Sequence, residues 1–412
     1  MNISNKCHIR ASLSLCIFLA GWMNMQNQAV AQQTPVFQLT QIDSGVSRVS
    51  SYWGYNAPKL VYDGETFYSP GYWGESPSTS QLRVYKRHGD RWVSGFTATD
   101  ADYQPGMLLL DSQKRLILIY GRQNAGPRIL RSDSPGDIDH FSPLPVPAAI
   151  NRAGYIGAGI YDERLVLGYI GDPASYSFNM AVLDLRSQTW TGPVLLAPAQ
   201  RAAEPYTTWL YPLIVPDKNG IHLTVSNNAD QSSYYNQILY LHVSYDLRRI
   251  SAPESVAEVN PWTKKLAFGQ NMWMAQDGSL YVTGMHQPEV PVNANVYRRD
   301  PHTGKWSAHT IGPSQVMAVF QSPDEPGRLW LTSAHGPEIQ LYTSPDSSRT
   351  WNQVSLPNFP PLVSTFFLHG INPASGSVMP EGPCAVFSSG PHPHYQTWMI
   401  EFHTSGDGKK DR

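Results

Sequence analysis

A short sequence pattern returns along the chain and limits the folds that the chain can adopt. Each copy has an apolar run, a turn rich in Asp or Gly, a second apolar run and, in most copies, a third run that ends near an aromatic residue. The first runs of the copies begin at Lys59, Met107, Ala158, Tyr211, Met272, Met317 and Thr365. Their spacing of roughly 45 to 60 residues suits four strands and their turns. We therefore predict an all-β fold, a seven-bladed β-propeller of four-stranded antiparallel blades.

The pattern also predicts the domain organisation. It covers nearly the whole chain after the N-terminal segment, so we predict a single propeller domain over residues 32–412. Radial closure of the sheets removes the long exposed edges that a row of sheets would offer for aggregation. We predict that the segment 32–50 supplies the outer strand of the last blade and so closes the ring.

The N-terminus has the pattern of a secretory signal peptide. Lys6 and Arg10 precede an apolar run over residues 11–23, and Ala29-Val30-Ala31 supplies small residues for a signal peptidase. We predict that residues 1–31 are removed and that the protein is secreted or periplasmic. No later stretch reaches the roughly 18 to 20 apolar residues of a membrane helix, so we expect no membrane partner.

Composition excludes other classes of partner and cofactor. Lys and Arg number 30 against 32 Asp and Glu, a formal net charge of −2, so we expect no binding to nucleic acid. Cys384 is the single cysteine after the predicted signal peptide, and its apolar neighbours predict a buried thiol rather than a nucleophile. The sequence has no phosphate-binding loop, nucleophile elbow or strong metal-ligand motif. We expect a monomer without a cofactor or metal.

One turn of the sixth copy carries a recognisable motif. In the stretch Ser344-Pro345-Asp346-Ser347-Ser348-Arg349-Thr350-Trp351, an Asp can accept backbone N–H bonds within a hairpin while the Trp is buried between blades. The stretch resembles the Asp box of sialidase-like propellers with BNR repeats, with Ser348 at the position of the usual glycine. The stretches 131–141 and 300–306 are similar to degenerate copies. The resemblance implies the propeller fold, and the Asp box itself contributes no catalytic residue.

Two inner-strand stretches extend this resemblance. Residues 103–111 and 211–217 resemble secreted propellers of the ulvan-lyase type, which are polysaccharide lyases acting on uronate-containing polymers. The resemblance implies a lyase that cleaves such a glycan. The chain departs from it at Gln104, where these lyases usually carry a His. It also has Asn56-Ala57-Pro58 where sialidases carry Arg-Ile-Pro.

The ligand of such propellers lies on the axis, at the face formed by residues that enter each first strand and follow each second strand. Aromatic rings there can stack on sugar rings, while amides and Arg can bind hydroxyls and carboxylates. We therefore predict a polysaccharide or oligosaccharide substrate. The predicted substrate-binding residues are Tyr55, Asn56, Trp73, Gln104, Arg128, Tyr206, Trp209 and Asn271.

A uronate lyase needs a group that neutralises the carboxylate, a base for the C5 proton and an acid for the leaving oxygen. Arg122 is the predicted neutralising group. His286 or His335 is the predicted base, because an unperturbed imidazole titrates near neutrality. Tyr211 or Tyr206 is the predicted acid.

Two other functions are open at this point. A glycoside hydrolase would need two carboxylates that face each other across the pocket. The loop acids available for this role are Glu75, Asp102, Asp172, Glu204 and Glu289. A propeller that binds a glycan or a protein without catalysis is the other alternative, and the missing His at position 104 favours it.

We expect the exported protein to begin at Gln32, because signal peptidase cleaves after small residues such as those at positions 29 and 31. N-terminal sequencing or intact mass of the exported chain checks this. An exported protein that keeps residues 1–31 would contradict the signal-peptide interpretation.

Overall fold

The computed structural model confirms the predicted fold class. It describes residues 36–47, 52, 54, 58–74, 76, 81–101, 106–122, 125–150, 153–172, 177–197, 208–228, 235–259, 266–286, 293–313, 316–335, 337–356, 359–360 and 365–403. These residues form seven four-stranded antiparallel sheets, the blades of a propeller, and two short 3₁₀ helices. Within this part of the chain, no helix is long and apolar enough to cross a membrane.

The first described strand, β1 (Val36–Val46), belongs to blade seven, the last blade. The strands that follow it form blades one to seven in chain order. Blade one contains β2 (Val61–Tyr62), β3 (Phe67–Trp73), β4 (Gln81–His88) and β5 (Arg91–Ala98). Blade two contains β6 (Met107–Leu110), β7 (Leu116–Arg122), β8 (Ala125–Ser132) and β9 (Phe141–Pro143), and a 3₁₀ helix (Ala148–Ile150) follows it. Blade three contains β10 (Gly154–Tyr161), β11 (Arg164–Asp172), β12 (Ser177–Asp184) and β13 (Thr189–Ala197). Blade four contains β14 (Thr208–Asp217), β15 (Gly220–Asn228), β16 (Gln237–Val243) and β17 (Glu254–Glu258).

The remaining three blades complete the ring. Blade five contains β18 (Ala267–Met274), β19 (Leu280–His286), β20 (Asn293–Arg299) and β21 (Trp306–Pro313). Blade six contains β22 (Val316–Gln321), β23 (Leu329–His335), β24 (Glu338–Ser344) and β25 (Asn352–Val354). Blade seven contains β26 (Thr365–Gly370), β27 (Cys384–Ser389) and β28 (His394–His403), with β1 as its outer strand. A second 3₁₀ helix (Pro373–Ser375) lies between β26 and β27.

The core lies between neighbouring blades. Strands β6 and β7 are continuous apolar runs whose residues from Met107 to Leu110 and from Leu116 to Tyr120 are buried, because both faces of a blade pack on other blades. Outer strands such as β5 consist mostly of exposed and half-buried residues. Cys384, the first residue of the second strand of blade seven, is a buried free thiol, as the sequence predicts.

The ring closes through pairing of the first and last strands. β1 pairs antiparallel with β28 from Val36 opposite His403 to Val46 opposite His394, with a register shift after Gln41. This confirms the predicted role of the N-terminal segment in the last blade. An ion pair between Arg87 and Glu401 joins the closed blade to blade one.

The turns between third and fourth strands use Asp as the sequence predicts. In blade six, Asp346 Oδ1 accepts hydrogen bonds from the Thr350 N–H and the Ser344 hydroxyl, at 2.8 and 2.9 Å. Ser348 adopts a left-handed conformation with φ of +73°, which explains why glycine is usual there. Trp351 is half-buried rather than fully buried. In blade five, Asp300 accepts the N–H bonds of residues 302 and 303 in the same way.

The connection between β26 and β27 closes one end of the axial channel. Its 3₁₀ helix contacts the first strands of blades two to five, although the connection arises from blade seven, so it lies across the axis. Asn372 caps this helix by accepting from the Ala374 N–H at 2.9 Å and donates to the Met272 carbonyl at 2.7 Å. We call residues 371–378 the axial plug. It lies at the face opposite to the predicted substrate site.

Tight packing of the axial plug can be tested at one glycine. Gly376 has φ of +79°, and a Cβ there would lie 2.0 Å from the Leu110 carbonyl oxygen. Gly89 has a similar φ of +63°, but nothing lies within 4 Å of a Cβ there. We expect Gly89→Ala to lower the free energy of unfolding by about 1 kcal/mol and Gly376→Ala by about 3 kcal/mol. Urea unfolding of both variants checks this, and equal losses would contradict the packing described.

Candidate functional site

The predicted substrate face contains the first residues of the first strands and the last residues of the second strands. In blade four, for example, Thr208 at the start of β14 pairs with Asn228 at the end of β15. Four predicted residues of this face, Tyr55, Asn56, Gln104 and Tyr206, lie outside the described residues. His286 and His335 are the last residues of β19 and β23, so their backbones lie at this face; their side chains are outside the described part.

Several first strands carry a bulge at this end. Tyr155, Tyr211 and Phe367 have φ of +47°, +51° and +52°, and each lies at a register shift between the first and second strands of its blade. A corresponding shift occurs before Asn271 in blade five. A bulge redirects a side chain, and a left-handed residue other than glycine costs about 1–2 kcal/mol. Such strain at matching places of the ring marks this end of the axis as a candidate site.

The bulges gather aromatic rings around Tyr211. Its ring centroid lies 5.0 Å from Tyr155, 5.5 Å from Tyr235 and 4.8 Å from Phe268, and each pair is T-shaped. The three tyrosines are half-buried, while Phe268 is buried. This aromatic cluster joins blades three, four and five. Tyr235 and Phe268 were not predicted. The only sequence signal for them is that each is an aromatic residue near the start of a strand.

The cluster controls the protonation of the Tyr211 hydroxyl. Burial raises the pKa of Tyr211 far above its ordinary value, and the hydroxyls of Tyr235 and Tyr155, which are hydrogen-bonded to it, raise the pKa further. The phenol therefore keeps its proton at neutral and mildly alkaline pH. In this state Tyr211 can donate a hydrogen bond or a proton, but it cannot act as a base.

The two predicted arginines lie together on blade two. The Nε of Arg122 donates to the Gly126 carbonyl at 2.9 Å, and no protein partner of its terminal nitrogens is found among the described residues. The Nε of Arg128 lies 3.5 Å from the Asp100 carboxylate, which also accepts a 3.0 Å hydrogen bond from the Tyr120 hydroxyl. Arg122 thus keeps a fork of donors for an anion, whereas Arg128 is already paired. The described contacts do not join either arginine to the aromatic cluster in blade four.

Two predicted sugar-stacking residues belong to the core, and the prediction for them was wrong. Trp73 is 2% exposed and lies against the closing strand, where a Cβ on Gly45 would be 3.3 Å from its ring. Trp209 is 6% exposed and its ring lies 5.9 Å from that of Phe178 in blade three. Strand alternation turns both indoles between blades, where burial of a large ring stabilises the fold.

Asn271 faces the axis, and its role in substrate binding stays a prediction. It lines an axial cavity of about 40 Å³ together with His369 and Asn372, above the axial plug. The Asn271 Oδ1 is buried, and no described residue is its hydrogen-bond partner. The cavity holds a few water molecules at most and is far smaller than the roughly 300 Å³ of a ligand site. The cavity is therefore too small for a sugar ring.

A buried polar pair beside the axis was also missed. Lys59 is 0% exposed and donates from Nζ to the Gly106 carbonyl at 2.6 Å, which ties blade one to the entrance of blade two. His369 donates from Nε2 to the Tyr52 carbonyl at 2.8 Å. Burial lowers the pKa of Lys59 and lowers the pKa of His369 to about 3. The sequence offered one signal for this pair, since Lys59 directly precedes an apolar strand.

No group of three or more His, Cys, Asp or Glu side chains that could hold a metal ion occurs in the described part of the chain. No protein-family model matches the chain, and no curated protein matches it.

Solved structures similar to this chain share its fold. A polysaccharide lyase of family PL25, an ulvan lyase, is 10% identical, with a TM-score of 0.63 over 88% of this chain and 95% of that chain. The polysaccharide lyase Uly1 is 9% identical, with a TM-score of 0.59 over 91% of this chain and 98% of that chain. An oligogalacturonate lyase from Vibrio parahaemolyticus is 10% identical, with a TM-score of 0.50 over 89% of this chain and 97% of that chain. At these identities the similarity shows the propeller fold.

The buried His369 predicts a loss of stability in acid. Its pKa is about 3 in the folded protein against 6.5 as an ordinary value, so the unfolded chain binds a proton first as the pH falls below 6.5. Between pH 7 and pH 4 the wild type should therefore lose on the order of 3 kcal/mol more than a His369→Gln variant. Urea unfolding at both pH values checks this. The same pH dependence in both proteins would show that His369 is not neutral and buried.

Proposed function

We propose that this protein is a carbohydrate-active propeller enzyme that cleaves a uronate-containing polysaccharide by β-elimination. The observation that carries the proposal is Tyr211, a protonated phenol at a strained bulge at the end of the axis opposite to the axial plug. The three similar structures are described as polysaccharide or oligogalacturonate lyases, which supports this class of reaction for the shared fold. The Asp-box turn of blade six supports membership of the BNR-repeat group. The predicted signal peptide supports action in the periplasm or outside the cell.

In the proposed reaction, Tyr211 protonates the leaving oxygen. A base removes the C5 proton of the uronate, the C4–O bond breaks, a C4–C5 double bond forms, and the leaving oxygen takes the phenolic proton. Because burial raises the pKa of Tyr211, its proton stays in place until negative charge develops on that oxygen. The hydrogen bonds of the Tyr211 hydroxyl to Tyr155 and Tyr235 hold the phenol in place, which makes these two tyrosines positioning residues for this step.

Arg122 is the proposed neutralising group for the uronate carboxylate. Its Nε bond to Gly126 fixes the guanidinium and leaves the terminal nitrogens for a bidentate contact. Neutralisation of the carboxylate stabilises the negative charge that forms at C5 when its proton leaves.

The backbone register supports His286 over His335 as the base. His286 is paired with Ala267, the residue before Phe268 of the aromatic cluster, whereas His335 ends a strand in blade six. The backbone of His286 therefore reaches this face next to the aromatic cluster, and the backbone of His335 reaches it one blade further along the ring.

Replacement of Tyr211 by Phe should keep the ring packing and remove the proton. We expect a loss of at least about 100-fold in kcat on ulvan or polygalacturonate, measured by the ultraviolet absorbance of the unsaturated uronate product. Tyr161→Phe is the matched control, since Tyr161 is 39% exposed at the opposite end of β10, and it should retain full activity.

Three outcomes would contradict the proposal. New reducing ends without the unsaturated product would indicate a hydrolase. Neither product over a panel of uronate polysaccharides would indicate a binding propeller. Equal rates for the wild type and Tyr211→Phe would exclude the phenol as the acid.

A further inference from the structure

In the part of the chain that the structure describes, the outer strand of blade six covers only part of the neighbouring strand. Strand β25 pairs with β24 only from Leu341 opposite Val354 to Thr343 opposite Asn352. β24 begins earlier, at Glu338, and its first residues are paired only with β23. Within the described part of the chain, the outer side of residues 338–340 therefore has no strand partner.

A cavity of about 400 Å³ lies at this edge. It is bounded by the start of β24 and by the chain that follows β25, and we call it the blade-six groove. Its volume falls within the range of about 300–1,000 Å³ that is typical of ligand sites. The side chains on which its chemistry depends are Glu338, Gln340, Gln353, Ser355, Leu356 and Phe359.

The groove has an apolar wall and a polar floor. Phe359 packs on Phe37 of the closing strand, with ring centroids 5.2 Å apart, so its ring is held in place. The Gln340 Oε1 accepts a 2.9 Å hydrogen bond from the Tyr342 hydroxyl, which fixes the amide and leaves its two N–H donors for another partner. Gln353 is exposed and offers a second amide. A fixed aromatic ring beside donor and acceptor amides suits the apolar face and the hydroxyls of a sugar.

The charge of the groove limits the kind of sugar. Glu338 places a carboxylate at the groove, and the described residues that line it include no Lys, Arg or His. A uronate or a sulfated sugar would meet like charge without a compensating cation, which is unfavourable. A neutral sugar can bind without this repulsion between like charges.

We propose that the blade-six groove is a second glycan-binding site that takes a neutral sugar unit. It lies on a different blade from Tyr211 and Arg122 and does not depend on the proposed reaction. A polymer held there would stay near the axial site at a raised effective concentration, even though the contact itself is weak.

Binding of neutral disaccharides tests the proposal. Cellobiose, xylobiose and arabinobiose are titrated by isothermal calorimetry or ligand-observed NMR, with digalacturonate as the charged comparison. We expect at least one neutral disaccharide to bind the full chain, and Phe359→Ala to weaken it at least tenfold. Gln353→Ala should weaken it several-fold without loss of folding, because Gln353 is exposed. Tyr211→Phe should bind it as the wild type does, whether or not the protein proves to be a lyase.

Other results would overturn the proposal. These are no binding of any neutral disaccharide, binding that both groove variants retain, or binding that Tyr211→Phe abolishes. Equal binding of digalacturonate that the groove variants also weaken would contradict the charge argument. Occupation of the groove by an extended peptide but by no sugar would assign it to a different class of partner.

Discussion

The pairing of β1 with β28 is the constraint on which the rest of the structure depends. Residues more than 350 positions apart in the sequence share one sheet, as Asp43 and Thr397 do, and this pairing turns a row of blades into a ring. Only in a closed ring do the first strands of all blades converge on one axis. The axial plug, the buried Lys59 and His369 and the aromatic cluster around Tyr211 all lie around that axis, so their geometry follows from closure.

The sequence predicts the fold well because the signals for it are local. Apolar runs such as Leu116–Tyr120 are buried on both faces, and Asp turns such as that of Asp346 need only their own neighbours. The candidate site is less predictable because it depends on register. A shift of one residue turns a side chain to the other face of a strand. For this reason Trp73 and Trp209 lie in the core instead of in the candidate site. The bulges at Tyr155 and Tyr211 use left-handed residues that carry none of the glycine signal of such a conformation.

The two ends of the axis differ in character. The axial plug fills one end with tightly packed and capped backbone, whereas strained bulges and half-buried tyrosines gather at the other. The strain of about 1–2 kcal/mol for each left-handed tyrosine is maintained by the packed blades on either side. The rigid packing thus lies at the plug, and the hydroxyls of the aromatic cluster lie at the other end of the axis. Burial in this environment keeps the Tyr211 hydroxyl protonated.

The proposed reaction requires that the strained end of the axis binds a uronate next to Tyr211. A crystal structure of the Tyr211→Phe variant with a bound uronate oligosaccharide tests it most directly. We expect a glycosidic oxygen within hydrogen-bond reach of the position that the Tyr211 hydroxyl has in the wild type, and a uronate carboxylate against the terminal nitrogens of Arg122. An oligosaccharide bound with neither contact would contradict it.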